Sequence, residues 1–282
     1  MKDDFRHRKR VNAVMFAITG VFTVISLSFL FTILGYIAYH GLSSISWSFL
    51  VHLPAPLGET GGGIANSIVG SAKVLAVACL IGLPVGVFGA VYLAEFGNNR
   101  IGFAIRYCAD VLNGVPSIVV GIFAYAICVL PMKHFSALSG SVALAVILIP
   151  LVLRTAEEFI RLVPNSIREA ALALGVSQWK VVLRVVLPTA ARGIMTGAIL
   201  AVSRIAGETA PLIFTAFGNR FWDSGILQPI ATLPHTIFTY AIAPYDDWHR
   251  QAWAAALLLM FVVLAGNIAA RLLMRSPRGA PR

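Results

Sequence analysis

Pro164-Asn165-Ser166-Ile167-Arg168-Glu169-Ala170-Ala171-Leu172-Ala173-Leu174-Gly175, continuing through Val176-Ser177-Gln178-Trp179-Lys180 to Leu187-Pro188, is a polar-punctuated stretch set between long apolar runs. Ser166 and Glu169 stand at capping-box spacing, so hydroxyl and carboxylate can each satisfy an orphan amide at a helix start. Gly175 suits the left-handed position that follows a helix end. A second short helix fits Ser177 to Leu187, with Ser177 as N-cap and Pro188 as its stop. Two short helices in a sharp bend make a compact knuckle, and what flanks them decides where the knuckle sits.

The flanks are lipid-soluble. Of 282 residues, 58% are hydrophobic and 12% charged, and the mean hydropathy is +0.83. A soluble domain carries about 25% charged residues, and this chain has too little polar surface to cover a water-soluble core. A soluble enzyme, a disordered chain and a secreted disulfide scaffold are excluded. Cys79, Cys108 and Cys128 all lie in apolar runs without disulfide or metal spacing, and the scattered histidines offer no metal site. A helix needs about 20 apolar residues to cross the hydrocarbon core. Such spans are expected near Val11–Ala38, Val74–Ala94, Val111–Met132, Phe135–Leu153, Gly193–Phe217 and Gln251–Ala270, giving six helices and an all-α membrane protein.

Loop charges orient it. With the N-terminus cytoplasmic, 17 Lys and Arg fall on the inner side, among them Arg6, Arg100, Arg106, Arg154, Arg161, Arg168, Lys180, Arg192, Arg275, Arg278 and Arg282. Only Lys133, Arg220 and Arg250 fall outside, so both termini are inside by the positive-inside rule. The net charge of +10 is then membrane topology, and no nucleic-acid partner is needed. The apolar part of the N-terminal segment is too long for a signal-peptide core, so it reads as an uncleaved span. The chain is expected to be one transmembrane domain over residues 1–282, with a cytoplasmic loop at 154–192 and a periplasmic loop at 218–250. Gly82, Gly86 and Gly89 with Pro84 allow close helix approach in the second span.

Glu169-Ala170-Ala171, three residues, Gly175, nine residues, then Val185-Val186-Leu187-Pro188 resembles the EAA loop of type I ABC importer permeases, departing only in Val185 for Ile. The resemblance implies that Glu169, Ala170, Ala171, Gly175, Leu187 and Pro188 dock in a cleft of an ATP-binding subunit. The chain has no phosphate-binding loop of the G-x-x-x-x-G-K-[ST] kind. ATP and Mg would therefore sit on the partner ATPase subunits, with no cofactor on this chain.

Arg204 and Glu208 interrupt the fifth apolar run. Ionisable groups inside a membrane cost roughly 2.5–3.5 kcal/mol each and face a cavity or a partner. Their i,i+4 spacing predicts mutual neutralisation on one helix face, while the planar guanidinium suits an oxyanion. Arg204-Ile205-Ala206-Gly207-Glu208-Thr209-Ala210-Pro211-Leu212, with Asn113-Gly114-Val115-Pro116-Ser117-Ile118-Val119-Val120-Gly121, is similar to the PstA-type permeases of bacterial phosphate ABC transporters. That likeness implies a multi-pass inner-membrane subunit for inorganic phosphate, with Arg204, Glu208, Thr209, Asn113 and Ser117 along the pathway. It also implies a PstC-type permease partner, two PstB-type ATP-binding subunits and a PstS-type periplasmic phosphate-binding protein. Permeases for molybdate or sulfate share the loop, and a self-contained ion-coupled transporter could use the Arg204/Glu208 pair. Pro116 also predicts a kinked span whose freed carbonyl is satisfied by neighbours or water.

Overall fold

The computed structural model describes residues 2–56, 59–222 and 225–273, the side chains of residues 2–5 excepted. Arg275, Arg278 and Arg282, counted above as cytoplasmic cations, lie outside the described residues. In chain order the helices are α1 (Lys2–Leu42), α2 (Trp47–Val51), α3 (Ala65–Glu95), α4 (Arg100–Gly114), α5 (Ser117–Met132) and α6 (Ala137–Arg161). There follow α7 (Asn165–Ala173), α8 (Gln178–Ala206), α9 (Ala210–Thr215), α10 (Leu233–Ala241) and α11 (Asp246–Leu273). The described residues hold no strand, only isolated bridges pairing Pro54 with Gly62 and Phe217 with Ile230. Helices α1, α3, α6, α8 and α11 are each long and apolar enough to cross a membrane, and α4 with α5, bent by 107° at their junction, add a sixth span if the bent pair is counted as one.

The bundle is organised around α3 and α6. The buried face of α3 carries Gly70, Val74, Ala78, Gly82, Gly86 and Ala90 one turn apart, with glycine at 82 and 86 where α6 lies against it. Without side chains there, α6 can approach α3 closely. A Cβ on Gly82 would stand 2.8 Å from Leu148 Cδ2, and one on Gly86 2.9 Å from Val152 Cβ. This is the small-residue packing expected where lipid tails supply no hydrophobic drive for association. Val74, Ala78, Leu144, Leu148, Val152, Ile205 and Leu212 form the central core. Helix α1 packs on α11, where Tyr36 and His40 meet the Trp253 ring.

Three expected boundaries move. The span expected at Gly193–Phe217 is instead α8, which begins at Gln178 inside the knuckle and ends at Ala206, leaving α9 as a separate short helix. Pro188 does not stop a helix. The preceding turn, Val182–Val186, widens to π geometry, Leu187 N–H donates to Val182 O, and the chain continues helically past the proline. Pro131 is absorbed the same way, by a π turn over Tyr125–Val129. The expected Val111–Met132 span is broken instead of kinked, because Val115 and Pro116 are extended (ψ 132° and 135°) between α4 and α5.

Candidate functional site

The break between α4 and α5 faces the break between α8 and α9. Between them lies a cavity of about 260 Å³ walled by Asn113, Pro116, Ser117, Ile147, Arg204 and Glu208. Each wall has a local cause. Pro116 disfavours helical backbone before it and ends α4, so Asn113 arrives from one helix and Ser117 begins the next. The first amides of α5 have no intrahelical acceptor, and Ser117 places that end at the cavity. Gly207 closes α8, its N–H donating back to Arg204 O at 3.3 Å.

That closure overturns one expectation. Glu208 lies beyond the end of α8, so no continuous helix face carries it one turn from Arg204. Among the described residues neither side chain makes a hydrogen bond or ion pair. The two charges line one cavity without neutralising each other, which leaves the Arg204 donors available. Four of the five expected pathway residues, Arg204, Glu208, Asn113 and Ser117, meet here. Thr209 does not line the cavity; its carbonyl accepts from Leu212 N and Ile213 N and so starts α9.

Two of the helices bounding the site touch backbone to backbone. A Cβ on Gly121 would lie 2.8 Å from Pro211 Cα and 3.4 Å from Ala210 O. Gly121→Ala should therefore separate α5 from α9 at a cost of about 1–3 kcal/mol, read as a lower thermal midpoint of the detergent-solubilised chain. An unchanged midpoint would mean that this contact is not tight.

The knuckle is as compact as expected, but its capping differs. Helix α7 starts at Asn165, two residues earlier than the Ser166/Glu169 box requires, and no side chain caps it; Ser177 likewise makes no side-chain cap to α8. The C-terminal end of α7 follows the expectation. Gly175 takes φ +78°, its N–H reaches Leu172 O at 2.9 Å, and Val176 N–H reaches Ala171 O at 3.3 Å. This is a Schellman closure that a Cβ would strain. Of the six residues expected to couple to an ATP-binding subunit, Glu169, Ala170, Gly175 and Pro188 are exposed. Ala171 and Leu187 instead pack beneath, against the core of Ile160, Val163, Val181, Val186 and Ala190. Apolar side chains protrude around them, Leu174 being 84% exposed and Trp179 58%.

An ion-pair network that the sequence reading missed ties this end together. Glu157, 2% exposed, meets Arg106 Nε at 2.6 Å, Arg161 Nη2 at 2.8 Å and Arg154 Nη1 at 2.9 Å, while Arg154 Nε also holds Asp110 at 2.8 Å. Arg106 additionally donates to the Leu93 and Gly97 carbonyls that end α3. Arg168, beside Glu169, pairs with Glu95 at 3.0 Å and donates to Ile160 O, which fixes α7 to the ends of α3 and α6. The sequence signal for Glu157 was Arg154 and Arg161 at i−3 and i+4; Arg106 is far away in the chain.

Comparison with known proteins agrees with this geometry. Residues 82–278 match the family described as "Binding-protein-dependent transport system inner membrane component". The phosphate transport system permease protein PstA of Yersinia pestis is 40% identical over 94% of this chain and 90% of its own length. That of Haemophilus influenzae is 42% identical over 95% of each. A solved chain of the MetNI methionine ABC transporter, in inward-facing form, shares the fold at 20% identity with a TM-score of 0.58, covering 75% of this chain and 96% of that one. With the family matched over most of its length, and with PstA permeases among its relatives, the chain belongs to the binding-protein-dependent transport system inner membrane components, the permease subunits of ABC transporters.

Proposed function

We propose that this chain is the phosphate-conducting permease subunit of an ATP-driven importer in the bacterial cytoplasmic membrane, with both termini in the cytoplasm. The observation that carries the reading is the cavity where two helix breaks meet, holding Arg204, which has no ion-pair partner among the described residues, with the start of α5 and Glu208. A guanidinium with free donors beside a helix N-terminus suits a desolvated oxyanion. Glu208 in the same cavity limits how tightly that anion is held, so that it can leave. The relatives named for phosphate transport favour phosphate over molybdate or sulfate.

The chain supplies no ATPase site of its own in this reading. The exposed apolar knuckle around Leu174 and Trp179, on which Glu169 and Ala170 are also exposed, is the surface that a separate ATP-binding subunit covers. ATP and Mg belong to that subunit, of the PstB type and present twice. A PstC-type permease completes the pathway, and a PstS-type protein delivers the anion from outside. Because α8 runs unbroken from the knuckle to Arg204, a push at Gln178 travels along one rigid helix to the cavity. Alternation between outward and inward openings requires that nucleotide bind the two states with different affinity.

Two measurements test this. Uptake of radiolabelled phosphate at low concentration should be lost in cells lacking the chain and restored by it. Restoration of molybdate or sulfate uptake instead would reassign the substrate. Gly175→Pro cannot adopt φ +78°, so it should abolish co-purification of the ATP-binding subunit while leaving the chain in the membrane. Uptake that survives Gly175→Pro would favour an ion-coupled transporter that needs no ATPase.

A further inference from the structure

A second cavity, of about 400 Å³, opens between the start of α3, residues 217–221 and α10, and six of its lining residues are Asn66, Ser67, Arg220, His235, Tyr240 and Trp248. Arg220 is one of the three cations that charge asymmetry places outside the cytoplasm. Its guanidinium lies 5.1 Å from the centre of the Trp248 ring. Its Nη2 donates to Ala55 O over a long 3.4 Å, and the Tyr240 hydroxyl is a second side-chain partner, so most of its five N–H donors remain unused among the described residues. Among the described residues no carboxylate pairs with it, since the nearby Asp247 is engaged by Arg250, Gln251 and Gly61 N–H.

Asn66 supplies the complementary feature. It is 4% exposed, and its Nδ2 donates to Asn219 O at 2.6 Å, which fixes the amide so that Oδ1 is the remaining atom. That oxygen is buried without a hydrogen-bond partner. A buried unpaired acceptor costs about 1–3 kcal/mol and calls for an explanation. The other polar groups here add no charge. Burial pushes the His235 pKa down and the Tyr240 pKa up, so both are neutral at pH 7. Ser67 Oγ and Thr236 Oγ1 bond one another at 2.7 Å.

The cavity thus offers free donors on a cation together with one buried acceptor in want of a donor. An oxyanion with no proton satisfies the first and faces Asn66 Oδ1 with lone pairs. An oxyanion that retains a proton satisfies both. We propose that this cavity is an outer subsite for a protonated oxyanion, of the hydrogen phosphate class, which receives the anion before it reaches the Arg204 cavity. The assignment rests on the phosphate reading given above. Its distinctive consequence is discrimination against sulfate at the mouth of the pathway, because a site with a buried polar group rejects the analogue that leaves it unpaired.

The Trp248 ring under Arg220 provides the readout. The purified transporter complex, in lipid nanodiscs and without the binding protein, is titrated with inorganic phosphate and separately with sodium sulfate at constant ionic strength. Tryptophan emission is followed, with Trp248→Phe as the blank that isolates this ring. Phosphate should give a saturable change, sulfate one at least about tenfold weaker, which corresponds to about 1.4 kcal/mol. Arg220→Gln should weaken the phosphate response by a similar factor or more, and Asn66→Ala should bring the two anions closer together. Where Asn66→Ala does not assemble, Arg220→Gln decides alone. An equal response to both anions, no saturable response, or a response undiminished in Arg220→Gln would each overturn the subsite. ATP-driven phosphate uptake by the same complex with its binding protein separates the two readings. Uptake without a Trp248 signal removes the outer site and keeps the substrate, whereas sulfate or molybdate uptake without phosphate uptake removes both.

Discussion

Glu157→Leu should cost the chain its folded state before it costs any transport chemistry. The carboxylate is 2% exposed and neutralises three guanidiniums from two helices. Removing it leaves Arg106 and Arg154 half-buried around an apolar side chain, with Asp110 alone for compensation. Breaking a buried pair by deleting one partner costs about 3–5 kcal/mol, most of it from the charge left behind. Arg106 also caps the carbonyls that end α3, so its displacement would loosen the contact between α3 and α6 on which the bundle depends. The expected result is low membrane abundance and a much lower thermal midpoint in detergent. Arg161→Ala provides the contrast. That side chain is 54% exposed, and an exposed member of an ion pair contributes about 1 kcal/mol or less. Equal midpoints for Glu157→Leu and the unaltered chain would show that solvent takes up the three arginines, and the network would then be a surface feature.

The same network marks where a reading of sequence reaches and where it stops. Six apolar spans and the inward excess of Lys and Arg are properties of composition, and they lead to an all-helical, six-span chain without any contact being known. The knuckle was legible because Gly175 and the residues before it state a helix end in local chemistry, and the Schellman closure requires nothing distant. Hydropathy carries no signal for a helix start beyond the bilayer, so it points to Gly193 for α8, whereas the helix begins at Gln178. Nor could it foresee that a π turn would carry α8 through Pro188, since proline's missing amide reads as a stop unless the preceding turn widens. The i,i+4 rule paired Arg204 with Glu208 only on the premise of an unbroken helix, and Gly207 removes that premise. Arg106 and Glu157, like Arg220 and Asn66, are brought together by packing between distant segments, which no local pattern encodes.

Arg204→Ala should abolish phosphate uptake while leaving the chain as stable as before. The guanidinium makes no hydrogen bond or ion pair among the described residues, so its removal breaks none, and it relieves the roughly 2.5–3.5 kcal/mol cost of a charge at membrane depth. A structural residue would behave in the opposite way, losing stability and transport together. If the guanidinium binds the passing anion, its truncation should cost about 2–5 kcal/mol, as for other desolvated charge contacts, or roughly 30-fold and more in apparent affinity. Arg204→Lys separates charge from shape. An ammonium keeps the attraction but not the planar fork, so an intermediate loss is expected if two oxygens are held at once. Glu208→Gln should act on the other side of the balance. With the opposing charge removed from the cavity, the anion is held longer, and turnover should fall while apparent affinity rises. The measurements are initial uptake rates across phosphate concentrations, at matched membrane levels, with thermal midpoints of the same variants. Unchanged uptake in Arg204→Ala would leave phosphate as substrate and return the cavity to packing. Loss of uptake with an unchanged midpoint is the outcome that places the anion beside Arg204, because no hydrogen bond or ion pair of its guanidinium among the described residues is available to explain it.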